Sequence, residues 1–220
     1  AIELAINKEE MVDAVLYGYG TAAYNVLSSN NIGYQELAPR TQNIEKAKEL
    51  LEEAGYPGGG FELNIWLDTS NIWLQYAQII QANLEEIGIT LNIEQMESST
   101  LSQREVSDLD NFDMSVRFIN GLTGDARFTL YNLLHSDSSS NKERWYNDQA
   151  DDLLMRGRAT FDIADAESIY TELYALVVDE MPVLPLYYDE VLVGLNANVE
   201  GFIARNDGIH VFSSDLVCYE

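Results

Sequence analysis

Apolar and polar residues alternate from Phe61 to Asp68, where Phe61, Leu63, Ile65 and Leu67 share one face, the two-residue period of a strand. Beyond Asn71 the period changes. Ile72, Tyr76, Ile79, Ile80, Leu84 and Ile87 recur at three and four, which is one apolar stripe of a helix. Gly88 follows at the place where a helix end favours a left-handed residue, and TLNIEQME alternates again as a second strand. Strand, helix and strand in this order predict a βαβ unit with parallel strands and a right-handed crossover. Ligands gather at the carboxyl ends of parallel strands, here Asp68-Thr69-Ser70-Asn71 and Met96-Glu97-Ser98-Ser99, so function is expected there first.

The flanking pattern is mostly helical. Residues 1–6 read as helix, and Asn7 with Glu10 has the form of an N-cap and its reciprocal partner for a helix that carries Met11, Val15 and Leu16 inward. Residues 25–41 are irregular and polar. Asn43 caps a helix with Ile44, Ala47, Leu50, Leu51 and Ala54 on one stripe, stopped by Gly55, Pro57 and the glycines at 58–60. After the βαβ unit the spacing predicts a short helix over 101–107 and a third strand over 112–120 (FDMSVRFIN), with Met114, Val116 and Phe118 on one face. A small-residue loop (GLTGDARF), a helix over 126–134, a long polar loop (HSDSSSNKERWYND) and helices over 149–160 and 163–178 follow. Pro182 and Pro185 bracket an extended piece, and EVLVGLNANVEGF reads as one or two more strands.

Composition narrows the class. A chain of 220 residues, 46% hydrophobic with four prolines, has the material for a real core, hiding roughly 70% of the surface of its unfolded form. Thirty-seven acids against twelve bases give a net charge of −25. That disfavours nucleic acid as a partner, because phosphate needs Lys and Arg to displace its counterions, and it disfavours an anionic membrane surface. The single Cys218 forms no internal disulfide, and no Cys/His cluster suits zinc. No apolar run reaches the length of a membrane span and no signal peptide is present. The chain opens at AIELAINKEE, already helical and without an initiator Met, as a piece of a longer protein would.

The chemistry-bearing residues point to binding rather than catalysis, and no catalytic residue, cofactor or metal ligand is expected. GYGTAA resembles a dinucleotide fingerprint but follows a helix instead of a strand. A GxSxG elbow is missing, and His135 and His210 stand in loops as surface or loop residues. Asp108, Asp110 and Asp113 resemble a calcium loop that lacks its glycine and its spacing. A carboxylate pair for glycoside hydrolysis carries no signal in so acidic a chain, though a carboxylate-dependent hydrolase stays the alternative from a different class. For binding, Trp73 just after the strand end, with Ser70 and Asn71, offers a stacking plane and a donor for a sugar ring or peptide group, or else packs under a loop. Arg117 either holds a ligand carboxylate or pairs with a neighbouring acid. Trp145 and Tyr146 either close over a ligand or anchor their loop.

At this point the order of motifs resembles a known family. AINKEEMVDAVLYGYGTAA, IEKAKELLEEAGYPGG and LDTSNIWLQYAQIIQANLEEIGI, then FDMSVRF, LYNLLHSDSSSN and MPVLPLYYDEVLVGLNANVEGF, resemble in sequence the second lobe of the family 5 extracellular solute-binding proteins, receptors of dipeptide and oligopeptide ABC transporters. The resemblance implies an α/β fold, a periplasmic-binding-protein-like lobe (type II, cluster C) with a βαβ-built mixed sheet flanked by helices. It implies one lobe over 1–220: a helical lead-in over 1–60, the βαβ core over 61–120, loops and helices over 121–180, and return strands over 181–220 toward the hinge and the N-terminal lobe.

The same resemblance implies a small solute as ligand (an oligopeptide, or an oligosaccharide or metal chelate), an ABC permease as partner, and a place outside the cell or in the periplasm, as a lipoprotein or free. Peptide-binding members carry a tryptophan and an aspartate after the third strand, and the aspartate holds the peptide's amino terminus. Aligned on FDMSVRF, these fall at Ile119 and Leu122, where both are lost. Asp125 stands three residues later, and Ala126 replaces the family's proline. Either Asp125 takes over the amine or the ligand is not a simple peptide with a free amine. Asn120, Leu122, Thr123 and Asp125 are therefore counted with Ser70, Asn71, Trp73, Arg117, Trp145 and Tyr146 as ligand-binding candidates.

Overall fold

The computed structural model of the chain describes residues 1–108, 111–119, 124–205 and 214–219. Two short helices open it, α1 (Ile2–Ala5) and α2 (Lys8–Leu16), and the Asn7 side chain accepts the Glu10 amide at 3.0 Å, as the N-cap pattern requires. Strand β1 (Gly20–Ala22) and a long irregular segment lead to α3 (Ile44–Glu53), capped by Asn43 through the Lys46 amide.

The centre is the βαβ unit: β2 (Phe61–Asp68), α4 (Asn71–Glu85) and β3 (Ile89–Met96). β2 and β3 are parallel in unbroken register from Phe61↔Ile89 to Asp68↔Met96. Helix α5 (Ser98–Ser107) follows, three residues earlier at its start than the apolar spacing indicated, and β4 (Met114–Ser115) joins the other edge of β2, also parallel. The sheet order is β3-β2-β4. Among the described residues this sheet is parallel rather than mixed.

Ile65, Trp66 and Leu67 are all buried. The alternating face of β2 packs on Tyr76, Ala77, Ile80 and Leu84 of α4, with Ala5, Met11 and Leu51 behind them. Trp66, on the opposite face, makes a second contact set with Met96, Phe112 and Leu101 under α5. Both faces of the strand are thus covered where it ends, as parallel sheets require.

The second half is helical: α6 (Ala126–Leu134), α7 (Asp148–Ala159) and α8 (Ile163–Glu180), capped by Asp125, Asn147 and Asp162 in turn. Leu130, Leu134, Leu153, Leu154, Leu173 and Tyr174 form its core. The segment over 23–42 bridges the halves. Tyr174 donates to the Gly33 carbonyl at 3.1 Å, the Tyr188 hydroxyl lies 2.6 Å from the Asn25 carbonyl, and Ile32 bridges to Asp125. Strand β5 (Tyr187–Asp189) pairs antiparallel with β1, and β6 (Val199–Glu200) with β7 (Val217–Cys218).

Two expected strands are cut short. Among the described residues of this stretch the strand pairing with β2 is limited to Met114–Ser115, with the Asp113 amide donating to the Asn64 carbonyl just before it. Met114 and Val116 pack into the first core, but Phe118 is 53% exposed because the chain has left the sheet, and Asn120 lies outside the described residues. EVLVGLNANVEGF contributes only Val199–Glu200, and Leu192 and Leu195 stand exposed.

Candidate functional site

An open trough of about 2020 Å³ runs between the βαβ half and the helical half. Its walls come from three separated stretches: residues 21–40, the continuation of β4 through Ile119, and residues 182–191. β4 ends at Ser115, and Val116 to Ile119, which form no strand among the described residues, line the trough as the chain continues.

The wall on the α4 side is aromatic. Trp73, half-buried in the first turn of α4, is tilted against Tyr76 with centroids 5.8 Å apart, and Tyr76 stacks on Tyr187 at 4.8 Å. Trp73 and Tyr187 line the trough with Tyr76 sealed beneath them. Ser70 and Asn71 stand beside Trp73 at the strand end, as the βαβ pattern implies, but outside the trough. The Ser70 amide donates to the Asp68 carboxylate at 2.8 Å, and Asn71 is exposed.

The opposite edge is charged. Arg117 donates to the Ser140 carbonyl at 3.2 Å, and its other terminal nitrogen lies 3.6 Å from Glu143. Burial holds the Glu143 carboxyl above the usual range, with Arg117 pulling the other way. Its Oε2 is buried with no hydrogen-bond partner among the described residues. Lys142 and Arg144 flank it on the same wall, and the Arg144 guanidinium lies 5.4 Å from the Phe112 ring. These three residues were absent from the sequence-derived set. The available signal was two of only twelve basic residues within three positions of one loop.

Asp125 takes a structural post. It caps α6 through the Arg127 amide at 2.9 Å and grips the Arg127 guanidinium with both oxygens. Those hydrogen bonds hold its carboxyl below the ordinary value, against a smaller opposing effect of burial. Trp145 likewise has anchoring contacts: its indole N–H donates to Glu180 at 2.6 Å, Asn147 donates to the other Glu180 oxygen at 2.8 Å, and Asn141 binds the Trp145 carbonyl at 2.8 Å. Tyr146 is 72% exposed. Asn120, Leu122 and Thr123 lie outside the described residues, as do His210 and Asp110.

His135 stands in the loop just past α6, as one of the two expected alternatives had it. It is buried at the end of α6 rather than at the surface, its ring 4.5 Å from that of Tyr131 and its Nδ1 accepting the Asp137 amide at 3.0 Å. Asp108 pairs with Arg104, and Asp113 accepts the Asn64 amide at 2.7 Å, so both carboxylates have structural partners. Among the described residues no group of three or more His, Cys, Asp or Glu could hold a metal ion.

Comparison with known proteins agrees with this architecture. The sequence pattern of the bacterial extracellular solute-binding proteins, family 5 (middle region), matches residues 1–141. The glutathione-binding protein GsiB of Shigella dysenteriae serotype 1 is 28% identical over 98% of this chain and 44% of its own length. Among solved structures, HbpA2 from Haemophilus parasuis superposes with a TM-score of 0.86 at 27% identity, over 100% of this chain and 44% of that one. The periplasmic binding protein DppA from Helicobacter pylori, in complex with the peptide STSA, gives 0.80 at 26% identity over 94% and 41%. The chain therefore spans less than half the length of these relatives. On this match, over more than half of its residues, the chain belongs to the family 5 bacterial extracellular solute-binding proteins.

Proposed function

We propose that the chain is one lobe of a two-lobe receptor that captures oligopeptides for an ABC permease, without catalysing a reaction. The observation that carries this reading is the open trough between the βαβ half and the helical half, lined by Trp73 and by the chain that runs on from the carboxyl end of β4, a concave site of the kind that takes small ligands. Relatives that match 98% and 94% of the chain are described as a glutathione-binding protein and as a complex with a peptide, which supports a peptide-like solute. Exposed Leu192, Leu195 and Ile203 lie in the C-terminal segment, an apolar surface suited to contact with a second lobe. Ligand held by one lobe is enclosed when the other closes, which gives the permease a loaded form distinct from the empty one. Location outside the cytoplasmic membrane, anchored by lipid or free, follows the same reading.

The test uses the complete two-lobe protein and its melting temperature with di- to pentapeptides, short oligosaccharides and nickel chelates. A ligand at a hundred times its dissociation constant stabilises the native state by about 2.7 kcal/mol, a readable shift. Peptides are expected to produce it. A shift with sugars or chelates alone overturns the peptide assignment, and tight peptide binding by residues 1–220 alone overturns the two-lobe mechanism.

A further inference from the structure

The negative charge of the chain is concentrated where it meets solvent. Among the described residues, twenty-seven carboxylates are exposed, against five cationic side chains, Lys46, Lys48, Arg156, Arg158 and Arg205. Thirty-seven acids to twelve bases over the whole sequence thus becomes more than five to one at the surface. Two of the five cations are already taken up within their own helices, Lys46 by Glu49 and Arg156 by Asp152. Such an excess makes the compact state repel itself.

The positions of the acids add to the strain. A helix C-terminus carries partial negative charge and disfavours a carboxylate, an effect that salt screens. Yet α2, α3, α4 and α8 each have acids in the last turn and no base there: Asp13, Glu52, Glu53, Glu85, Asp179 and Glu180. Glu86 adds another charge at the end of α4. Acids also follow one another at one turn of spacing, Glu9 with Asp13 in α2 and Asp148 with Asp152 in α7. Like charges at that spacing, about 5–6 Å apart, destabilise a helix. All of these side chains are exposed.

The ion pairs that join distant parts of the chain are placed differently. Glu3 holds Lys8 and Arg40, and Arg117 meets Glu143, with every one of these side chains buried or half-buried. Salt screens exposed charges and reaches sheltered pairs much less. The screening length is about 10 Å at 0.1 M and about 3 Å at 1 M, and only the second is shorter than one helical turn. Molar salt therefore removes the surface repulsion and spares the internal pairs.

We infer that this fold is built for molar salt: it reaches full stability only at an ionic strength on the order of 1 M, and at about 0.1 M its unscreened carboxylates loosen it. What the surface takes up is a diffuse layer of monovalent cations rather than an ion at a fixed site. The inference does not depend on what the trough binds.

The complete two-lobe protein is melted in NaCl at about 0.1 M and at about 2 M, beside a variant carrying Glu52→Gln, Glu85→Gln and Glu86→Gln. These three side chains are exposed at helix ends, so the change removes charge and little else. The parent is expected to melt at least about 10 °C higher in the concentrated salt. The variant is expected to gain about 3 °C on the parent at low salt and to keep less than half of that gain at high salt. The other lobe shares in the response of the parent, and the variant assigns the effect to this chain. A parent melting temperature that stays level or falls with NaCl overturns the inference. So does a variant whose difference from the parent is the same in both solutions, because salt would then act by general salting-out and not by screening these carboxylates. Either result leaves the transport reading standing.

Discussion

Trp66 lies stacked on Phe112, ring centroids 4.6 Å apart and planes 26° from parallel, on the face of β2 that its alternation left for solvent. The Arg104 guanidinium sits 4.0 Å from the same indole, and the Arg144 guanidinium 5.4 Å from Phe112. The aromatic pair therefore ties α5, the entry to β4 and the charged wall of the trough to the central strand. Phe112→Ala leaves a void beside a fully buried indole and is expected to cost about 3 kcal/mol. It also removes the ring beside the Arg144 guanidinium on the trough wall, so ligand affinity should fall with stability. Urea denaturation with an unchanged m-value, alongside calorimetric binding, checks both. Loss of stability without loss of affinity would detach the stack from the site.

The buried pair at the start of the chain makes a separate prediction. Lys8 is 1% exposed and donates to Glu3 and to the Ala23 carbonyl, both at 2.9 Å, while Glu3 also takes Arg40 at 2.8 Å. Burial lowers the Lys8 amine despite Glu3, and Glu3 stays below its ordinary value because Arg40 and Lys8 outweigh its own burial. Glu3→Gln strands two cations and is expected to cost about 3 kcal/mol, whereas Lys8→Met leaves Glu3 with Arg40 and should cost clearly less. Equal losses in thermal unfolding would mean that the lysine, not the carboxylate, is the hub.

How much was legible follows from where each signal lies. The βαβ unit and the caps at Asn7 and Asn43 were readable because a period change or a capping side chain is local. The burial of Trp66 was not, since its partner Phe112 comes from beyond the next helix. The early end of β4 was equally invisible: FDMSVRFIN keeps its alternation past Ser115, whereas in the fold Arg117 meets Ser140 and Glu143, which lie more than twenty residues further on. The trough hid for the same reason, being walled by three stretches far apart in sequence. Lys142 and Arg144 drew no reading of their own from the sequence, because it is the fold that places their loop on the trough wall with Arg117.

Gly88 shows a local signal with a non-local reason behind it. Its φ of 77° ends the α4 turn, and a Cβ there would lie 2.0 Å from the Gly58 carbonyl oxygen. Gly55 has a φ of 87° with nothing within 4 Å. Gly55→Ala should cost about 1–2 kcal/mol, the penalty of a left-handed residue alone. Gly88→Ala should cost distinctly more, because the clash is with backbone. Matching losses in chemical denaturation would show that the 57–60 turn yields easily.

Two carboxyls near the trough should respond to pH with opposite sign. Asp125, lowered chiefly by its hydrogen bonds to Arg127, contributes stability that is full above its unfolded value of about 3.9 and is lost as pH falls through the lower folded value. Glu143, raised chiefly by burial, is the reverse. Its favourable contribution is full below the unfolded value of about 4.3 and is lost as pH climbs through the raised folded value. Glu143→Gln removes that loss, since a neutral amide has no charge to desolvate. The variant should thus gain on the parent in melting temperature as pH rises above about 4, while Asp125→Asn, which keeps a capping oxygen for α6, should fall behind as pH rises toward about 4 and hold a constant deficit above it. A Glu143→Gln difference that stays flat with pH would show that the carboxyl ionises normally in the fold.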